Sequence, residues 1–212
     1  MTLSLFGGAA PTGVDGTSST ADQVLGVLFG VTAPAALNAV AFYSPAGAAG
    51  LPAAAAVYTQ TGQAPVAVDN APSWSGAAGS GWVTCSMAAY GVTLIPGAGL
   101  YCAAAWSGGS LSGVWDEYSV DWWETGSGPG SGGIVNGILH APDSAGGNTG
   151  LLLNGAGAIA YPSNSFEDTN FWIDVLVTPL AAGGGQPGDP GGIGVRPGEL
   201  FQSHGRRRRR RF

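Results

Sequence analysis

Lysine is absent from this 212-residue chain, and no arginine precedes Arg196. Without lysine there is neither a Walker A phosphate cradle nor Schiff-base chemistry. Cysteine and histidine number two each: Cys85, Cys102, His140 and His204. That is a thin set for a structural zinc site, and neither histidine has an evident triad partner. No G-x-S-x-G elbow occurs. Charged residues are 9% of the chain, against the usual ~25%. Gly and Pro interrupt every apolar run before ~20 residues, so no membrane-spanning helix is expected. The start, MTLSLFGGAAPTG, lacks the basic n-region of a signal peptide, so synthesis in a cytoplasm without export is expected.

Glycine (38), proline (14) and seven tryptophans stand out, with 45% apolar residues. Such apolar content argues for a folded core. The formal charge of −6 hides a separation. All seven arginines lie at or after Arg196, whereas twelve of the thirteen acids precede it, Glu199 being the exception. A charge split of this kind concerns partners rather than fold.

Period-two alternation marks residues 171–177, FWIDVLV, as a strand ending at Pro179. Phe171, Ile173, Val175 and Val177 fall on one face, with Trp172, Asp174 and Leu176 on the other. Further strands are expected at Gln23–Val31 and at residues 36–43, 53–60, 66–68, 82–87, 100–106, 138–140, 151–154 and 158–161. In residues 36–43, Leu37, Ala39, Ala41 and Tyr43 alternate with Asn38, Val40 and Phe42, as in a sheet buried on both sides. No segment carries a capped 3.6-residue period. The expected fold is all-β: a jelly-roll-like β-sandwich with an extended basic C-terminal tail. Its parts are an N-terminal arm (1–22), the sandwich (23–179), a Gly/Pro linker (180–194) and an Arg-rich peptide (195–212). Cys85 and Cys102 are expected as half-buried free thiols, a cross-strand disulfide being the alternative.

Five motifs occur in order: NAVAFYSPAG at 38–47, GWVTCSM at 81–87, Trp122-Trp123, NGILHAP at 136–142 and YPSNSFEDTNFWIDVLVTP at 161–179. In order and spacing they resemble the bacterial and phage β-sandwich module known as domain of unknown function 4082, over roughly residues 23–179. The resemblance implies a β-sandwich of the kind appended to carbohydrate-related secreted proteins and found in virions. A small, lysine-free, stand-alone module with a basic tail is similar to minor virion proteins of phages that infect actinobacteria.

Asp116, Glu117, Asp121 and Glu124 lie among Trp115, Tyr118, Trp122 and Trp123. Paired carboxylates beside aromatics suit glycoside hydrolysis, and oxygen ligands suit calcium. Acids on a loop rim above packed aromatics fit better, and neither catalysis nor metal nor any cofactor is expected. Trp115, Tyr118, Trp122 and Trp123 are instead the candidate contacts to a glycan or a neighbouring subunit. In an extended chain only one of the adjacent pair need be buried, which would leave the other at the surface. The G-x-G-x-x-G matches at Gly128, Gly130 and Gly133, and at Gly183, Gly185 and Gly188, lack the strand-to-helix context that gives the motif meaning.

Arg206, Arg207, Arg208, Arg209, Arg210 and Arg211, closed by Phe212 and preceded by Phe201, form the candidate anchoring tail. Six guanidinium groups can fork onto carboxylates of another protein, with the aromatics supplying apolar grip. Nucleic acid is the rival partner. The expectation is a non-enzymatic virion protein, a minor tail or tail-tip component, that forms homo-oligomers and contacts other virion proteins through the tail. Capsid decoration and adhesion to a host cell-wall glycan are the alternatives, and no membrane contact is expected.

Overall fold

The computed structural model describes residues 1–11, 22–108, 119, 122–123, 132–142, 149–165 and 169–181, together with the backbone of 16–18 and 116–118. Trp115, the side chains of Asp116, Glu117 and Tyr118, and Asp121, Glu124, the loop at 126–131 and the segment from 182 onward lie outside them. Met1–Ala182 form one compact unit.

The unit is β throughout. Among the described residues there is no α-helix, only 3-10 turns at Thr61–Gln63 and Ala88–Tyr90. In chain order the strands are β1 (Leu3–Ser4), β2 (Gly16–Ser18), β3 (Gln23–Val31), β4 (Ala35–Ser44), β5 (Ala54–Thr59), β6 (Pro65–Asp69), β7 (Trp74–Ser75) and β8 (Gly81–Ser86). They continue as β9 (Thr93–Leu94), β10 (Tyr101–Trp106), β11 (Asp116–Tyr118), β12 (Ile134–Asn136), β13 (Leu139–Ala141), β14 (Gly150–Asn154) and β15 (Ile173–Pro179). The first sheet runs β1-β15-β4-β8-β7, with β9 also on β4. The second runs β12-β13-β3-β10-β5-β6, with β14 also on β3, and β2 pairs β11 separately.

The two sheets pack face to face as a β-sandwich. Leu37, Val40, Phe42, Val83, Ile173, Val175 and Val177 of the first sheet share one core with Leu25, Val27, Phe29, Val57, Tyr101 and Leu139 of the second. The expected boundaries of β3 hold to the residue. Strict alternation in β4 does not: Leu37 and Val40 face the same core, three positions apart. Leu176 pairs Ala39 while Val177 pairs Leu37, so Asn38 is an extra, bulged residue that resets the phase. Its Nδ2 donates to Thr178 Oγ1 at 2.7 Å, and its carbonyl accepts from Met87 N.

Ala39 and Ala41 are buried on one face of β4 and Val40 and Phe42 on the other, as expected, and the second sheet is buried on both faces too. Val24, Leu28, Ala56, Tyr58, Cys102, Ala104 and Leu151 make a second core on its outer side. Residues 155–165 cover that face through Ala156, Ile159 and Tyr161. This corrects the strand expected at 158–161. The segment lies across the sheet instead of joining it, with a single isolated bridge between Leu152 and Asn164. Asp22 ties the cover down: its Oδ1 accepts from Gly157 N and from Trp106 Nε1, and its carbonyl from Gly155 N. Nor are the first residues a separate arm. Leu3–Ser4 pairs with β15, and Leu5 sits in the main core.

Two glycines make these approaches close enough. A Cβ on Gly26 would stand 2.8 Å from Pro162 Cγ and 2.9 Å from Cys102 Sγ, and one on Gly150 only 1.6 Å from the Thr169 carbonyl oxygen. Gly26→Ala is therefore expected to cost about 1–3 kcal/mol, the usual range for overpacking. Gly150→Ala should cost more, because backbone yields less than a side chain. Urea unfolding of the two variants checks the order; equal or negligible losses would refute the packing account.

Candidate functional site

The chain enters β15 through a constrained turn. Trp172 has a φ of 53°, left-handed backbone that a bulky residue rarely adopts. Its N–H donates to Asn170 Oδ1 at 2.9 Å, its carbonyl accepts from Tyr43 N, and Asn170 and Ser119 bridge through their backbones. The strand consequently starts at Ile173, not at Phe171. Phe171 and Trp172 both point into protein, Trp172 with its indole N–H 3.3 Å from Ser119 Oγ.

Around this turn buried and half-buried rings gather. Trp122 meets Trp172 edge-on with centroids 4.7 Å apart, and Phe6 lies 5.1 Å from Trp172, 6.4 Å from Trp123 and 6.0 Å from Trp82. Tyr43 closes the cluster edge-on against Trp82. Trp122 and Trp123 are both buried, which corrects the expectation of one exposed ring. They occupy a turn, so neighbouring side chains are not forced to opposite faces. Neither can stack on a sugar in this arrangement. Trp122 Nε1, Thr169 Oγ1 and Asn170 Nδ2 are buried without a hydrogen-bond partner.

The group that reading of the sequence missed is Asp174, placed there only as one outward position of a strand. It is buried, and its Oδ1 accepts from Leu5 N at 2.7 Å and Val175 N at 2.6 Å, with Oδ2 accepting from Phe6 N at 3.2 Å. Among the described residues no cation stands opposite it. Loss of hydration outweighs these donors and the nearby Ser4 side chain, and pushes the carboxyl up to about 6. The folded form then holds its proton more tightly than the unfolded chain, whose value is near 3.8. The stability this group contributes is greatest below about pH 4, declines as pH rises to about 6, and is constant above that. The decline is on the order of 2–3 kcal/mol. Asp174→Asn should remove it, so the stability of wild type relative to this variant should fall between pH 4 and pH 6 in denaturant titrations. A difference independent of pH would refute the assignment.

Cys85 lies in the main core and Cys102 in the second, and both are free. They are more deeply buried than expected. Burial pushes the Cys85 thiol up to about 12, with Asp69 adding to the effect, and pushes Cys102 up as well. Neither is a nucleophile at neutral pH. Ellman's reagent should find no reactive thiol in the native protein and two after denaturation; rapid native labelling would contradict the burial. Tyr90, an exposed aromatic, donates its hydroxyl to the Val68 carbonyl. Among the described residues no three His, Cys, Asp or Glu side chains gather as a metal site.

What the fold defines is the class: a two-sheet antiparallel β-sandwich with a second, covered core. No family model matches the chain, and no curated protein and no solved structure matches it either. The likeness to domain of unknown function 4082 thus rests on the motifs that carry it. The candidate anchoring residues Phe201, Arg206–Arg211 and Phe212 lie outside the described residues.

Proposed function

We propose that this chain is a non-enzymatic structural protein of a phage virion, a minor tail or tail-tip component that displays its sandwich and is held in the particle through the Arg-rich segment. The observation that carries the reading is the charge separation: every arginine lies from Arg196 onward, and twelve of the thirteen acids precede it. A domain with no arginine or lysine of its own, followed by six adjacent guanidinium groups and Phe212, is suited to tethering. Exposed ion pairs contribute only about 0–1 kcal/mol each, so Phe201 and Phe212 must supply much of the grip. The glycan-adhesion reading loses ground, because two of the four aromatics it needs, Trp122 and Trp123, are part of the core.

Particles assembled with the full chain and with a chain ending at Gly205 test the proposal. The shortened protein should fold with an unchanged melting temperature and be lost from purified particles by tenfold or more. Equal incorporation would sink the anchoring role. Retention of the full chain on duplex DNA, with no affinity for isolated virion proteins, would transfer the role to nucleic acid.

A further inference from the structure

Two of the seven asparagines are followed by glycine: Asn136-Gly137 and Asn154-Gly155. That pair is chemically unstable wherever the chain is free to bend. Glycine has no Cβ, so its backbone nitrogen can reach the Cγ of the asparagine before it and expel the side-chain nitrogen. In the folded chain the two pairs have much in common. Each asparagine is the last residue of a strand, β12 in one case and β14 in the other. Each side chain has one hydrogen-bond partner among the described residues. Asn136 Nδ2 donates to the Ser4 carbonyl at 2.8 Å, and Asn154 Oδ1 accepts from Gln23 Nε2 at 2.9 Å. Both glycines are exposed and in left-handed backbone, with φ of 62° and 66°.

They differ at the nitrogen that must attack. Gly155 N–H donates to the Asp22 carbonyl at 2.9 Å, and Asp22 Oδ1 holds the N–H of Gly157 as well. Attack there must first break a backbone bond of the cover. Among the described residues Gly137 N–H has no acceptor. It stands in the short turn between β12 and β13, where Asn136 pairs with Leu139. β12 is the outermost strand of its sheet, and Val135 beside the pair is 78% exposed. Such an edge opens locally more readily than a strand paired on both sides. What Asn136 holds gives the site its consequence. Its amide bonds the carbonyl of Ser4, next to the Leu5 and Phe6 N–H groups that donate to Asp174. Leu3 packs on the same turn, its Cδ1 only 2.8 Å from where a Cβ on Gly137 would stand. The turn and the first strand form one junction.

We infer that Asn136-Gly137 is a site of spontaneous covalent modification, and that the change releases the first strand. The Gly137 nitrogen gives its proton to hydroxide from solvent and bonds to Asn136 Cγ. The Cγ–Nδ2 bond breaks, and the side-chain nitrogen leaves as ammonia after taking a proton from water. Water then opens the cyclic imide at either carbonyl, leaving aspartate or isoaspartate at position 136. The donor that held Ser4 is thereby replaced by a carboxylate, an acceptor only, which faces the Ser4 carbonyl and repels it. Isoaspartate also lengthens the main chain by one carbon at the end of β12. The inference does not rest on the virion reading, because the reaction needs only water and the folded chain.

Incubation of the native full chain in mildly alkaline buffer, followed by peptide mass spectrometry, tests it. Asn136 should gain the mass of NH2 replaced by OH about tenfold faster than Asn154, which is what one further backbone hydrogen bond is worth. In denaturant the two should react at similar rates, since each is asparagine before glycine. Asn136→Gln should remove the fast phase of ammonia release. Asn136→Asp carries the product carboxylate from the start. It should keep the sandwich, by circular dichroism, while amide hydrogen exchange at Leu5 and Phe6 rises severalfold. Should that variant be unstable, the same exchange measured on aged wild type gives the answer. Equal native rates at Asn136 and Asn154 would overturn the modification site. Unchanged exchange at Leu5 and Phe6 after conversion would overturn the release of the first strand.

Discussion

The Asp174 carboxylate fixes where the first residues of the chain go. It is buried beside β15 with no cation near it among the described residues, and the donors that compensate it are backbone N–H groups, two of them from Leu5 and Phe6. A buried carboxylate with unmade hydrogen bonds is among the costliest features a core can hold, so the N-terminal residues are held where those donors are needed. Once they are there, Leu5 fills the main core and Phe6 joins the rings of Trp82, Trp123 and Trp172. The left-handed turn at Trp172 is kept in place by the same packing, braced by Asn170, Ser119 and Tyr43. A strand that would otherwise be an open edge is thereby covered.

The second sheet shows how a chain so rich in glycine and alanine builds enough core. Its strands carry small residues on both faces, including Ala55, Ala56, Ala103, Ala104 and Ala105, all fully or nearly fully buried. Small side chains let the first sheet approach from one side and residues 155–165 from the other. Gly26 sits where Pro162 and Cys102 leave no space for a methyl group. Burial on both faces recovers the apolar contact that each small residue lacks by itself. It also places the two thiols in separate cores, which is why they do not meet.

Against this background the functional groups are those that the fold leaves over. The aromatics near the acidic stretch include Trp122 and Trp123, which are consumed by the core. The described carboxylates are spent on local tasks: Asp22 on the cover, Asp174 on the first residues. What remains for partners is an arginine-rich segment, an acidic body and exposed apolar side chains such as Val135. The proposed tethering role would draw on these, since partner choice by opposed charge and exposed apolar surface needs no pocket.

The sequence by itself determined the all-β class, the two-sheet arrangement and most strand positions, because alternation and Gly/Pro punctuation are local signals. The boundaries of β3 and the ends of β5, β8 and β10 were legible to within about a residue. Only the tertiary structure decided the rest. The bulge at Asn38 depends on register with β15, the cover over the second sheet carries no periodicity, and the burial of Asp174 depends on residues nearly 170 positions away. Trp122 and Trp123 went to the core together because a turn, not a strand, presents them. The charge separation was visible at once, since it needs no geometry. The difference between the two Asn-Gly pairs was not, because Asn136 meets Ser4, and Gly155 meets Asp22, only in the folded chain.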